Sequence, residues 1–91
     1  MEAQLNEWAS LRRSYRRRET TGDGITLWFD PSVEAALRDI AAKEAACCSF
    51  LRLEVQTESH AAGDSVRLEI RSDQAEAMPV IQLLARQAGG G

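Results

Sequence analysis

The stretch Glu44-Ala45-Ala46-Cys47-Cys48-Ser49-Phe50-Leu51-Arg52-Leu53-Glu54-Val55 changes its apolar period partway along, and that change decides the fold. Upstream of it, Val33, Leu37, Ile40, Glu44, Cys47 and Cys48 fall on one stripe when projected at about 100° per residue, which is the mark of a helix. Downstream, Leu51, Leu53 and Val55 alternate with Arg52, Glu54 and Gln56, the period of a strand buried on one side. Asp30 can cap the helix and Pro31 suits its first turn, so the helix is predicted from there to about Cys48. Glu44 lies near the centre of the stripe with the two cysteines flanking it. A carboxylate on an apolar face must find a partner.

Working outward, Val66, Leu68 and Ile70 alternate with Arg67, Glu69 and Arg71, giving a second strand and a hairpin with Leu51–Gln56. Cross-strand charge favours the register that opposes Arg52 to Glu69 and Glu54 to Arg67. A slip of two residues would instead oppose Arg52 to Arg71 and Glu54 to Glu69. Earlier in the chain, Ile25, Leu27 and Phe29 alternate with Thr26 and Trp28, and the turn residues Thr20-Thr21-Gly22-Asp23-Gly24 precede them. Leu5, Trp8, Leu11 and Tyr15 recur at helical spacing, so residues 3–18 are predicted to form an amphipathic helix whose polar face carries Arg12, Arg13, Arg16, Arg17 and Arg18. At the other end, Asp73 and Glu76 have capping-box spacing and Ile81, Leu83, Leu84 and Ala85 make an apolar face. Pro79 cannot sit in a helix interior without losing a bond. It therefore predicts either a turn at 73–77 followed by a helix from Pro79 to about Gln87, or one kinked helix.

The order α-β-α-β-β-α defines an α+β domain with a three-stranded, mainly antiparallel sheet. The charged outward faces leave one side of the sheet open, so the helices are expected mostly on the other. A strand–helix–strand unit makes the first two strands parallel, and the preference for antiparallel neighbours then favours spatial order 1-3-2, an abbreviated ferredoxin-like sandwich, with 3-2-1 and 1-2-3 as alternatives. At 91 residues the chain makes one domain, expected over residues 1–88 with Gly89-Gly90-Gly91 as a flexible tail. An apolar share of 44% against 27% charged residues excludes a disordered chain, and no apolar run reaches the roughly 18 residues of a membrane span. Met1-Glu2-Ala3-Gln4-Leu5 lacks the order of a secretory signal, so a cytoplasmic setting with reduced thiols is expected. The net charge of −3 gives no global field for nucleic acid, and the arginines read as a solvated face paired with Glu2, Glu7 or Glu19.

Chemistry concentrates at Glu44, Cys47 and Cys48. Spacings of three and four on a helix let the heads approach one point. Two thiolates and a carboxylate suit Zn(II), and the thiol pair alone suits softer ions such as Cu(I), Hg(II) or As(III). Alternatively the cysteines are small core residues, and Glu44 reaches an arginine of the first helix or backbone donors. A thiol enzyme is the weaker reading, because a carboxylate neighbour and a helix C-terminus both disfavour thiolate, and His60 would have to fold back from its loop. Trp28, on the charged face of the first strand, is either covered by the first helix or an anchor for a homodimer or protein partner.

The sequence Glu44-x-x-Cys47-Cys48-Ser49-Phe50-Leu51 resembles a family of small uncharacterised bacterial proteins built around Glu-x-x-Cys-Cys-Pro-Phe-Leu. The resemblance spans about Leu11 to Leu84, and Ser49 replaces the usual proline. It implies a shared role for Glu44, Cys47 and Cys48 in binding a thiophilic metal or metalloid. The chain thus reads as a non-enzymatic ion-binding domain, with a structural or dimerisation domain as the alternative.

Overall fold

A computed structural model describes residues 7–60 and 63–89, His60 in its backbone only. Two strands, β1 (Tyr15–Thr20) and β2 (Gly24–Phe29), lead into α1 (Glu34–Cys47). A hairpin of β3 (Arg52–His60) and β4 (Gly63–Arg71) follows, and α2 (Met78–Gly89) closes the chain. The four strands form one antiparallel sheet in the order β1-β2-β4-β3. The three expected strands are joined by a fourth, which pairs with the outer side of the first. No helix among the described residues is long and apolar enough to cross a membrane.

The added strand corrects the reading of the N-terminus. Residues 7–9 are helical and Ser10–Ser14 continue as a 310 turn, but Tyr15–Thr20 is extended; residues 3–6 of the expected helix lie outside the described residues. Tyr15 faces the core because a bulge between Tyr15 and Arg17 resets the alternation, not because a helix carries it there. Its ring meets Phe29 edge-on at 6.1 Å between centroids. Only the tertiary partner β2 makes Tyr15-Arg16-Arg17-Arg18-Glu19-Thr20 a strand, since this run has no apolar alternation of its own.

The helix after β2 begins as expected. Asp30 caps a 310 turn (Pro31–Val33) by accepting from the Ser32 backbone N–H at 2.9 Å, and α1 follows. Cys48 ends it, with φ −125° and ψ 83°. The turn before α2 takes in Ala75–Ala77, which leaves Pro79 in the first turn of that helix, where no backbone donor is needed. The capping box is absent. Asp73 instead pairs with Arg52 at 2.8 Å, and the Ser72 hydroxyl accepts from the Gln74 N–H. Gly89 is the last residue of α2 rather than part of a tail, and a Cβ there would stand 3.1 Å from the Tyr15 ring.

Both helices cover the same face of the sheet, α1 over β3 and α2 over β2 and β1. Ile25, Leu27, Phe29, Val66, Leu68 and Ile70 project into the layer between, against Leu37, Ile40, Ile81 and Leu84. Trp8 and Leu11 close the N-terminal side of this core. The opposite face carries charged side chains, as alternation predicts.

The hairpin register is the other correction. Arg52 opposes Arg71 and Glu54 opposes Glu69, the arrangement charge was expected to forbid. It leaves two residues between the paired His60 and Gly63, whereas the favoured register would have centred the turn one residue earlier and opposed Gly63 to Glu58 inside the ladder. Gly63 has φ +125°, a conformation open to glycine. Two-residue connections match the twist of paired strands. Cross-strand charge on an exposed face is worth only a few tenths of a kcal/mol to about 1 kcal/mol, and here neighbours offset it. Arg71 reaches Glu69 on its own strand at 2.6 Å, Arg52 turns to Asp73, and Arg67 joins Glu58 and Glu69. The glycine at the edge of the turn, together with these ion pairs, outweighs the charge term.

Candidate functional site: the helix exit at Glu44, Cys47 and Cys48

Leu37, Ile40, Ala41 and Glu44 form the buried stripe of α1, and Glu44 is only 5% exposed. Its partner is neither an arginine nor backbone. The indole Nε1–H of Trp8 donates to Glu44 Oε1 at 3.1 Å, and the Cys48 thiol donates to Oε2 at 3.9 Å. Trp8 is fully buried, so the N-terminal helical segment is held to α1 by a polar bond inside apolar packing. Beside it at the surface, Lys43 Nζ bridges Glu7 at 2.9 Å and Asp39 at 3.2 Å. Those two hydrogen bonds, Glu7 first, raise the Lys43 pKa above its ordinary value.

The cysteines are not equivalent. Cys47 is exposed and Cys48 half-buried. Helical projection explains this: Cys48 lies about 40° from Glu44 around the axis and Cys47 about 60° to the other side, at the margin of the stripe. Neither is a fully buried core residue. Cys48 is also the first residue out of the helix. Its N–H still donates to the Glu44 carbonyl at 2.7 Å, while its own carbonyl accepts from Leu51 N–H at 2.9 Å and closes a turn through Ser49 and Phe50. Ser49 thus occupies the second turn position, which proline favours.

Burial pushes the Cys48 thiol pKa up, and the adjacent Cys47 thiol and Glu44 carboxylate push it further. Its sulfur lies against the Glu44 carboxylate. Among the described residues no three His, Cys, Asp or Glu side chains are grouped to hold a metal ion. No four-donor set of the kind a tetrahedral zinc site takes is assembled among the described residues. The hydrogen bond to Oε2 and the desolvation favour the neutral thiol of Cys48, the opposite of what a nucleophile needs. His60 ends β3 at the far side of the sheet, about 26 Å along the strand from Arg52, so the backbone does not bring it to the cysteines.

Exposure and the raised pKa together order the reactivity. Iodoacetamide at pH 8 is expected to alkylate Cys47 first and Cys48 several-fold more slowly, read by intact mass and peptide mapping; equal rates would refute the arrangement. The linkage sign follows. The folded state holds the Cys48 proton more tightly than the unfolded chain, so this contribution to stability is full below the ordinary thiol value. It is lost as pH rises through the raised one.

Trp28, the other expected site residue, is half-buried without help from the N-terminal helical segment. The guanidinium of Arg17 lies 3.9 Å above its ring and its Nε1–H donates to Glu58 at 3.0 Å. Arg67 bonds the same carboxylate and Gln56. Sequence reasoning missed Trp8 as the key contact of Glu44. Its only signal was an indole N–H on the apolar stripe of the N-terminal segment, where the Tyr15 hydroxyl is the other side-chain donor. Compared with protein families, with curated proteins and with solved structures, the chain matches none.

Proposed function

We propose that this protein is a non-catalytic binding protein that takes a soft, thiophilic metal or metalloid ion on the Cys47–Cys48 pair, with Glu44 as the adjoining carboxylate. The reading rests on the helix exit. Neighbouring side chains within a helix diverge by about 100°, and the non-helical backbone of Cys48 relieves that divergence while leaving Cys47 open to solvent. Two thiols suit the low coordination numbers of Hg(II) or As(III) better than the four donors zinc prefers. The likeness of Glu44-x-x-Cys47-Cys48 to the bacterial motif supports the same role, and the fold is read as an abbreviated ferredoxin-like sandwich whose outer strand comes from the N-terminus.

Native mass spectrometry of the reduced protein with Hg(II), arsenite and Zn(II) tests it. A one-to-one adduct with Hg(II) and arsenite is expected, lost in Cys47→Ser/Cys48→Ser. No stoichiometric adduct, or equal binding by the double variant, overturns the reading.

A second reading, a dimerisation or protein-docking domain, draws on a different observation. β3 is an edge strand, and beside it Ala41, Ala42 and Ala45 of α1 leave a shallow groove over Leu53 and Val55. The same spectra report it, as a dimer mass that persists without added ion.

A further inference from the structure

Away from the thiols, the cations of this chain are sorted in space. Arg16, Arg38, Lys43, Arg52, Arg67 and Arg71 each face a carboxylate at ion-pair distance. Arg12, Arg13, Arg17, Arg18 and Arg86 face none among the described residues, and of these Arg18 and Arg86 line one groove of about 240 Å³ together with Thr20, Ile25 and Gln82. No carboxylate lines it, in a chain with 14 acidic and 11 basic residues.

Backbone periods build this groove. On β1, residues two apart share a face, so Arg18 and Thr20 point together toward α2 while Glu19 points to the open side. On α2, Gln82 and Arg86 are four apart and share a face. Each wall therefore supplies one guanidinium and one neutral donor, with buried Ile25 of β2 as the floor. Two guanidiniums without a carboxylate partner, a hydroxyl and a carboxamide lining one groove match the charge and the acceptor oxygens of a phosphate group.

The arginine run could instead suggest nucleic acid, but the structure disperses it. Arg16 turns to Asp30, Arg17 lies over Trp28, and Arg12 Nε donates to the Gln87 carbonyl at 2.7 Å. Arg13 is exposed away from the groove, and Arg18 belongs to a bounded pocket rather than to a stripe that tracks a backbone. We propose that the groove between β1 and α2 binds the phosphate group of a small phosphorylated molecule through Arg18 and Arg86.

The test is a ¹H–¹⁵N NMR titration of the full chain with inorganic phosphate and with phenyl phosphate, at constant ionic strength held with KCl. Saturable one-to-one shifts at Thr20, Gln82 and the Nε–H of Arg18 and Arg86 are expected. Affinity should fall at least tenfold in Arg18→Gln/Arg86→Gln, whose exposed positions leave the spectrum otherwise folded. Shifts that never saturate, or that saturate equally in the double variant, overturn the proposal. So does a single-stranded oligonucleotide that saturates these resonances below the phenyl phosphate concentration, since the surface would then be a polyanion site.

Discussion

Alanine in place of Gly24 should abolish the native fold or cost more than about 4 kcal/mol, the range reserved for severe steric or burial faults. Gly24 opens β2 opposite Arg71, where the two backbones approach closely. A Cβ there would lie 1.9 Å from the Ile70 carbonyl oxygen and 2.9 Å from the Arg71 Cα. Both are main-chain atoms of the central strand β4, so no side-chain rotation can relieve the overlap. Moving β2 outward would break its ladder with β4 and carry β1 with it. Gly22, two residues earlier, is the control, because a Cβ built there meets nothing within 4 Å. Circular dichroism and NMR dispersion should show Gly22→Ala folded and Gly24→Ala unfolded or molten. Similar melting temperatures for the two would show that β2 can shift, and that the sheet is less closely set than its backbone contacts imply.

Trp8→Ala comes next in size. Truncating a fully buried tryptophan costs about 3–5 kcal/mol, a large share of the roughly 5–14 kcal/mol that holds a domain of this length. The more telling variant is Trp8→Phe. It keeps most of the ring volume but removes the indole N–H, leaving Oε1 of Glu44 buried without its donor, at about 1–3 kcal/mol. In a Glu44→Leu background there is no carboxylate to strand, and Trp8→Phe should fall below about 1 kcal/mol. Urea unfolding of the four proteins gives the coupling energy directly. An equal cost in both backgrounds would mean that Trp8 acts by packing alone and that Glu44 is satisfied from elsewhere.

The bond between Trp8 and Glu44 also bears on the thiol site. Because Oε1 is engaged by the indole, Oε2 is left facing the Cys48 sulfur. Orienting contacts of this kind commonly change metal affinity 10–100-fold when removed. If an ion binds the cysteine pair, the orientation of Glu44 is set from the N-terminal segment, far away in sequence.

Legibility in the sequence varied with how locally each feature is specified. The switch of period at Glu44–Val55 placed the end of α1 and the start of β3 within a residue, and Asp30-Pro31 marked the turn that leads into the helix, but β3 runs on to His60 through the stretch after Gln56, which carries no apolar alternation. The anomaly at Glu44 was also visible, since a carboxylate on an apolar stripe is conspicuous in any projection. Its partner was not. An arginine was the expected counterion, with five in the N-terminal segment, yet the indole of Trp8 reaches Glu44 because the chain turns into β1 directly after the N-terminal helical segment. Tyr15 was misread for a related reason: its spacing from Leu11 fits a helix, and the bulge that places it on the core face of a strand leaves no mark in composition.

By itself, then, the sequence determined the α+β class, the single layer of core and the concentration of chemistry at one helix end, because hydrophobic period and capping act over a few residues. Tertiary structure alone decided the fourth strand, the hairpin register and the donors around Glu44. Each of these depends on groups distant in sequence competing for the same backbone or carboxylate. That competition is won by turn geometry and buried hydrogen bonding rather than by exposed charge, which water screens.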